Sequence, residues 1–421
     1  MPGNPPVLGE QAPKDKMPPT KLEHTSLVTK GTAGDAPRPR LLYVINEAYF
    51  FVSHRIPVAR AAQEAGFEVH VAAPAHHDWA PKGFDVADLS ALGFRFHPVP
   101  LSRRGTNPIQ EVRTFLALIA LLRAVRPAIV HFITVKPNLY GGVAARITRV
   151  PAAVFAVTGL GHLFVSSAVS VRFLRGIVAG LMRVAFGHRN STIIFQNPDD
   201  REQLVRLGVA PPARSVVILG SGVDLRRFTV QREPAGIPVV VLCARLIWEK
   251  GIAEFVAAAR TIKASGVPAR FVLVGETRPS NPRSVPRETL EGWSREGAVE
   301  WWGYRTDMDT VLSSSSIVCL PSSYGEGVPK ILLEAAAVGR PIVATDIPGC
   351  REAVRHGLTG FLTAPADQDA LVVAIQKLLE DPGLRAQMGR AGRLLAEKAF
   401  DDQSIGRQTL RVYEGLGAGG P

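Results

Sequence analysis

The sequence predicts an α/β protein built from two doubly wound parallel-sheet domains that face each other across a central cleft. Three observations carry this prediction. Apolar runs such as AAVFAV (152–157) and VVVLCA (239–244) are too continuous for half-exposed antiparallel strands. Amphipathic stretches separate them, so each strand is joined to the next by a helix and the strands run parallel. The rhythm breaks once, at GSGVDLRRF and PAGIP between 220 and 238, and then restarts, which makes two domains from a chain of 421 residues.

Residues 1–37, rich in Pro, Gly, Lys and Thr without apolar periodicity, read as a disordered tail. The first domain, 38–218, opens with strand LLYVIN (41–46), a helix over 56–66 closed by Gly66, and strand EVHVAAP (68–74). A helix near 108–125 follows, then strand 128–133, helix 138–148 and strand 152–157. A basic helix near 169–187 leads to strand 192–196, helix 198–207 and strand 215–219. After the linker, 219–238, the second domain spans 239–400. It holds strand 239–244, helix 251–264, strands 270–275, 299–302 and 316–321, helix 329–338, strand 341–345, and helices 367–381 and 382–399. A last helix near 402–414, within 401–421, folds back toward the first domain. Open α/β sheets bind ligands beyond the carboxyl ends of their strands, so the cleft is the expected site.

Charge is the largest departure from average composition: 49 Lys and Arg against 37 Asp and Glu give +12 and ask for an anionic partner. The excess is local. Residues 38–218 carry 21 bases and 10 acids, whereas 219–421 carry 24 and 23. From Leu89 to Pro198 there are 13 bases and a single acid, Glu111. A nucleic-acid binder needs aromatics interleaved with its cations, or a recognition module, and this stretch has neither. Instead SVRFLRGIVAGLMRVAFGHR (170–189) has the composition of a helix lying in an anionic membrane interface; a core helix with solvated arginines is the alternative. No run approaches 18 uninterrupted apolar residues and the chain start lacks a secretory pattern, so the expectation is a cytoplasmic protein, peripheral to a membrane at most. Cys243, Cys319 and Cys350 show no metal spacing, and Cys243 and Cys319 read as buried free thiols.

The most specific segment is SSYGEGVPKILLEAAAVGRPIVAT (322–345), in which Glu326 and Glu334 stand eight apart. Gly325 and Gly327 let a ligand approach the backbone around Glu326. Pro329 suits a helix start, whose free N–H groups favour an anion. Glu334, over a turn into that helix, can offer paired acceptors to a vicinal diol. A capping loop and a solvated helix carboxylate are the plain alternative. Upstream, CARLIWEKGIAEF (243–255) sets Arg245 just beyond a strand and Lys250 at the following helix start. Such a pair can clamp a diphosphate, Arg as a bidentate fork and Lys as a point charge; two surface cations are the alternative.

R-x4-K followed some eighty residues later by E-x7-E resembles the glycosyltransferases of family 4, retaining enzymes with the GT-B fold of two Rossmann-like domains. The resemblance covers residues 40–400 and extends to SGVDLRRF at the linker. FFVSHRIPVARAAQEAG, HFITVKPNLYG, VTGLGHLF and FQNPDD are similar to bacterial members that extend undecaprenyl-diphosphate-linked sugars, in particular N-acetylgalactosaminyl transferases acting on undecaprenyl-diphospho-bacillosamine. The resemblance implies that Arg245 and Lys250 neutralise the donor diphosphate. It implies that Glu326 meets the donor sugar beside Gly327, Val328 and Lys330, and that Glu334 holds the ribose. It implies no metal and no cofactor, the UDP-sugar being substrate.

Two departures from the family pattern concern the acceptor side. NEAYFFVSHRIP stands where many members have a Gly-Gly loop, and Thr158-Gly159 where many have His-Gly. Ser53, His54, Thr158 and His162 are therefore the candidate polar groups near the acceptor, with Arg103 and Arg104 available to its diphosphate. The implied function is transfer of an N-acetylhexosamine from a UDP-sugar to an undecaprenyl-diphosphate-linked glycan at the inner face of the cytoplasmic membrane. The partners are that donor, that acceptor and the anionic membrane surface, without nucleic acid. A nucleotide-sugar epimerase or phosphorylase on the same fold, or a non-enzymatic binder of anionic lipid or nucleic acid, are the alternatives. Two further signals compete. TDMDT (306–310) contains D-x-D, read as a helix start with Asp307 at its N-cap rather than as a metal site. His76, His77 and Asp78 lack helical ligand spacing and read as a solvated loop.

Overall fold

The computed structural model describes residues 38–75, 84–102, 107–160, 169–278, 281–323 and 325–417, the backbone alone over 169–174. The tail assigned to 1–37 and the loop of His76, His77 and Asp78 lie outside the described residues.

Continuous apolar runs become strands buried on both faces. β1 (Arg40–Ile45), β2 (Glu68–Ala73), β3 (Arg95–Pro98), β4 (Ile129–Ile133), β5 (Ala152–Val157), β6 (Ser191–Phe195) and β7 (Ser215–Val217) form one sheet in the order β3-β2-β1-β4-β5-β6-β7. β8 (Val239–Cys243), β9 (Arg270–Val274), β10 (Glu300–Trp301), β11 (Ile317–Leu320), β12 (Ile342–Thr345) and β13 (Gly360–Thr363) form the other, in the order β10-β9-β8-β11-β12-β13. Every strand pair is parallel. Strand order therefore reverses between β1 and β4, and again between β8 and β11. Those reversals open a crevice at the carboxyl edge of each sheet.

Alternation along each strand divides the apolar side chains between two layers. In β5, Ala153, Phe155 and Val157 face one core while Ala152, Val154 and Ala156 face the other. In β8, Val239, Val241 and Cys243 face a core opposite to that of Val240 and Leu242. None of the four clusters mixes strands of the two sheets.

Two edge strands, β3 and β13, and the helices Ala48–His54, Ala87–Ala91, Arg287–Arg295 and Cys350–Ala353 are absent from the sequence reading. β3 is RFHP with no fully buried side chain, so it lacks the continuous apolar run by which the inner strands announce themselves. The segment expected as one helix over 138–148 starts with a π turn, Pro137–Gly141, before the α-helix Gly142–Thr148. There the Phe132 ring fills the space a Cβ on Gly141 would need.

The last helix, Asp402–Gly415, packs on the helix Ile56–Glu64 of the first half. Tyr413 anchors it: its hydroxyl lies 3.0 Å from that of Tyr43 and 2.7 Å from His131 Nδ1, all three side chains buried. Tyr413→Phe leaves two buried polar atoms without that partner and should cost about 1–3 kcal/mol in urea denaturation.

Candidate active site

β8 ends at Cys243, and the chain leaves the sheet through exposed Arg245 and a 3₁₀ turn, Trp248–Lys250. Gly251 (φ +74°) closes the turn against the Pro321 carbonyl, where a Cβ would collide with backbone, and the helix Ile252–Ala264 begins. This places Lys250 against the loop that follows β11. Its Nζ forms an ion pair with Glu326 Oε1, both side chains largely buried. The Ser322 hydroxyl reaches the same Oε1 and the Glu249 carbonyl, each at 3.0 Å.

Glu334 projects from the helix Lys330–Ala337 and is buried. Burial pushes its carboxyl above the ordinary range, against the pull of the Lys330 ammonium 3.5 Å away. Lys330 has a second partner in the other half: its Nζ donates to the Ser53 carbonyl at 2.6 Å. That carbonyl lies in the last turn of the helix Ala48–His54, the end that favours a cation.

A cleft of about 440 Å³ opens between the carboxyl edges of the two sheets. Tyr49, Val52 and Ser53 line it from the first half, and Arg227, Arg245, Glu276, Arg278, Lys330 and Glu334 from the second. Lys250, Glu326, Gly327 and Val328 do not line that cavity. They belong to the adjoining loop, which meets the first half backbone to backbone. A Cβ on Gly327 would lie 2.7 Å from the Thr158 carbonyl, and one on Gly159 (φ +115°) 2.7 Å from the Gly327 amide nitrogen. The Val328 side chain sits in the core, which leaves its backbone as the part available to a ligand.

Of the acceptor-side candidates, Ser53 and His54 are adjacent and joined, Ser53 Oγ lying 2.7 Å from His54 Nδ1. The His54 ring stacks on Phe50, centroids 4.1 Å apart. Burial first, then the charges of Lys330, Arg55 and Arg245, hold the His54 imidazole well below its ordinary range, so it is neutral at pH 7. Thr158 contributes its carbonyl to the contact with Gly327. His162, Arg103 and Arg104 lie outside the described residues.

The D-x-D reading needs one correction. Asp307 occupies the N-cap position of the helix Met308–Ser313 but makes no side-chain capping bond. Its carboxylate pairs with both arms of Arg305, at 2.8 and 2.5 Å, because a guanidinium fork outcompetes a lone amide. Asp309 is held by Arg227 at 2.7 Å. Both carboxylates are thus committed to arginines.

Sequence reasoning missed three contacts around the cleft. The hydroxyls of Tyr49 and Tyr304, 255 positions apart in sequence, meet at 2.9 Å across it, with no signal in either segment. Arg351 spans the halves, 3.0 Å from Asp199 and 2.5 Å from Asp346. Arg227 was within reach, since it belongs to SGVDLRRF, a segment singled out without a role for its arginines.

Comparison with known proteins agrees with this geometry. Residues 40–197 match the family model described as "Glycosyl transferase 4-like", and residues 237–381 the one described as "Glycosyl transferases group 1". The chain is 29% identical over 373 residues to the N,N'-diacetylbacillosaminyl-diphospho-undecaprenol alpha-1,3-N-acetylgalactosaminyltransferase of Campylobacter jejuni, covering 86% of this chain and 94% of the relative. It is 26% identical over 296 residues to the UDP-Gal:alpha-D-GlcNAc-diphosphoundecaprenol alpha-1,3-galactosyltransferase of Escherichia coli, covering 67% and 74%. Among solved structures, sucrose-phosphate synthase from Thermosynechococcus elongatus superposes with a TM-score of 0.74 at 20% identity, over 90% of this chain and 100% of that one. The last likeness bears on fold alone and establishes the GT-B arrangement. Both relatives named are sugar transferases, and the epimerase, phosphorylase and simple-binder readings are not favoured.

Glu334 yields a test that separates function from stability. The folded protein binds its proton more tightly than the unfolded chain does. The stability Glu334 contributes is therefore present at acid pH and lost as pH rises through the raised pKa. Glu334→Gln removes that loss. Its stability relative to wild type, from urea melts at pH 4 and pH 8, should improve at the higher pH.

Proposed function

Since this chain belongs to the glycosyl transferases, its first half 4-like and its second half group 1, we propose that it moves an N-acetylhexosamine from a UDP-sugar to an undecaprenyl-diphosphate-linked glycan, with retention at the anomeric carbon. Donor and acceptor class come from the named relatives, the nearer of which is matched over nearly its whole length. The observation that carries the reading to particular residues is the cleft itself. It sets the cations Arg245 and Lys330 and the buried acceptor Glu334 between the carboxyl edges of two sheets.

In this reading the ribose hydroxyls donate to Glu334, and Arg245 forks onto the diphosphate with Lys330 and Lys250 nearby. The bond from the anomeric carbon to the diphosphate oxygen breaks through an oxocarbenium-like state. Negative charge gathers on the leaving phosphate, where fixed cations stabilise it without reorganisation. The acceptor hydroxyl attacks from the same face and its proton passes to the departing phosphate oxygen, which balances the exchange. Protein cations thereby take the part of a metal ion. Glu326, anchored by Lys250 and Ser322, presents its loop to the sugar. Closure of the halves keeps water from competing with the acceptor.

Among the described residues, no helix is long and apolar enough to cross a membrane. The proposed enzyme works at the inner face of the cytoplasmic membrane, where a polyprenyl-anchored acceptor is reached from the surface. Nucleic acid has no part in it.

The test supplies radiolabelled UDP-, GDP- and ADP-sugars with a lipid-linked acceptor and measures label in the organic phase. Label from a UDP-N-acetylhexosamine is expected; no lipid-soluble product from any donor would falsify the reading. Arg245→Ala, at an exposed position, should lower kcat about 10²–10³-fold with unchanged melting, as loss of a preorganised charge-stabilising donor does. Lys250→Ala is a poorer probe, since it strands the Glu326 carboxylate in a buried site and endangers the fold. Lys330→Ala, which severs the link from Glu334 to Ser53, is expected to raise the donor KM and lower kcat together, with partial recovery in Lys330→Arg.

A further inference from the structure

The segment FQNPDD (195–200) lies where β6 gives way to the helix Pro198–Arg206, at the carboxyl edge of the first sheet. Its turn is fixed from within. Asn197 caps the helix, its Oδ1 accepting from the Asp200 amide at 2.8 Å, while its Nδ2 donates to Asp200 Oδ2 at 3.0 Å. The buried Asp200 carboxylate also accepts from the Leu160 amide, which ties the turn after β5 to the turn after β6. Asp199 pairs with Arg351 of the second half at 3.0 Å.

Gln196 stands between these anchors. Phe195 before it packs into the core and Asn197 after it is held by Asp200, so the backbone on either side is fastened. The Gln196 side chain is 6% exposed. Its Oε1 occupies the space a Cβ on Gly327 would need. Among the described residues its carboxamide makes no hydrogen bond, and the amides of Gly327 and Val328 beside it donate to no acceptor. Burying a carboxamide without partners is costly, and such a group in a folded protein calls for a reason.

The surroundings say what pairs with it. Three glycines converge here: Gly159 on the Gly327 amide, Gly349 on the Gly327 carbonyl, and Gly327 on Gln196 and the Thr158 carbonyl. Glycine at all three leaves a seam of backbone donors and acceptors that a ligand can approach closely, with one carboxamide among them. The charge next to it, Glu326, is already neutralised by Lys250. A phosphate would meet two carbonyl-type oxygens, those of Gln196 and Thr158, which repel it. The cations that suit a phosphate, Arg245 and Lys330, line the cleft instead. A neutral ligand carrying groups that both donate and accept fits the seam, and hydroxyl and acetamido groups of a sugar are of that kind.

We propose that the Gln196 carboxamide contacts the transferred sugar and sets which sugar is accepted, reaching it from the half opposite the one that holds the nucleotide. The inference rests on the transfer reading above and assigns to it a specificity residue in the first half. The full-length protein is given UDP, UDP-glucose, UDP-N-acetylglucosamine and UDP-N-acetylgalactosamine. Kd is read by calorimetry, and kcat/KM from label passing to the lipid-linked acceptor. Gln196→Met keeps the length of the side chain and removes both hydrogen-bonding atoms; Gln196→Leu does so with a shorter chain. Sugars are compared within each variant, so any loss of folded protein cancels. UDP itself should bind as it does to wild type. The preference among the three sugars should shift about tenfold in both Kd and kcat/KM, the worth of one neutral hydrogen bond. Unaltered preference in both variants overturns the proposal. So does a loss equal for UDP and for every UDP-sugar, which marks a structural role. Wild type that transfers from no donor sinks the transfer reading instead, and the Kd ratios still decide the part of Gln196.

Discussion

The ion pair between Lys250 and Glu326 is the contact on which the geometry of the site depends. Its partners stand 76 residues apart, in the loops that follow the paired neighbours β8 and β11, and a backbone bond from Ser323 to the Glu249 carbonyl also joins those loops. Two glycines make the approach possible: Gly251, pressed on the Pro321 carbonyl, and Gly349, whose place beside the Gly327 carbonyl leaves no room for a Cβ. Taking both charges out of water is costly, and their attraction offsets the cost only when geometry is good and further hydrogen bonds are made. The Ser322 hydroxyl supplies one. Such a pair adds little net stability; what it secures is position. In the proposed reaction the cations must already stand where charge develops, and a lysine held by a buried carboxylate cannot swing away.

The contacts between the two halves have a different character. They are single and polar, or backbone against backbone: Tyr49 with Tyr304, Lys330 with Ser53, Arg351 with Asp199, and Gly159 with Gly327. None of the apolar clusters bridges the sheets. Lys330 differs from the rest because it touches both Glu334 and the opposite half. Occupation of Glu334 by a ribose would therefore be felt directly at the helix that carries Tyr49, Ser53 and His54.

What could be read in the sequence follows from how much of an element's stability is local to it. Inner strands such as VVVLC and AAVFAV are buried on both faces and show it in four or more consecutive apolar residues. The edge strands RFHP and GFLT pair on one side only and carry Arg95, Pro98 and Gly360, so nothing sets them apart from loop. At the site, Arg245, Lys250, Glu326 and Glu334 were legible because each motif sits within one strand–loop–helix unit. The partner of Lys330 was not, since a lysine four before a glutamate reads as an ordinary helix pair while its shorter contact is to a carbonyl 277 residues away. The Asp307 carboxylate misled for a similar reason: capping is the local preference of that position, and Arg305 two residues earlier overrode it.

The same division of contacts says where the halves can move. Among the described residues the chain passes between them twice, near 219–223 and near 400–402, and the two passages are fastened side by side. Val223 donates to the Phe400 carbonyl at 2.8 Å and Asp402 to the Val223 carbonyl at 3.2 Å. Gly222 (φ +78°) has the Asp402 backbone where its Cβ would be. The second passage ends in a helix locked into the first half by Tyr413, so neither strand of this double crossing can slide. On the cleft side, by contrast, an exposed pair such as Arg351 with Asp199 is worth about 0–1 kcal/mol. Parting those cleft-side contacts would leave all four cores intact, since none of them includes strands of both sheets. In the proposed reaction, a site that admits a nucleotide sugar and an anchored acceptor and then excludes water needs that hierarchy: rigid halves joined at a fixed crossing, with weak seams at the cleft.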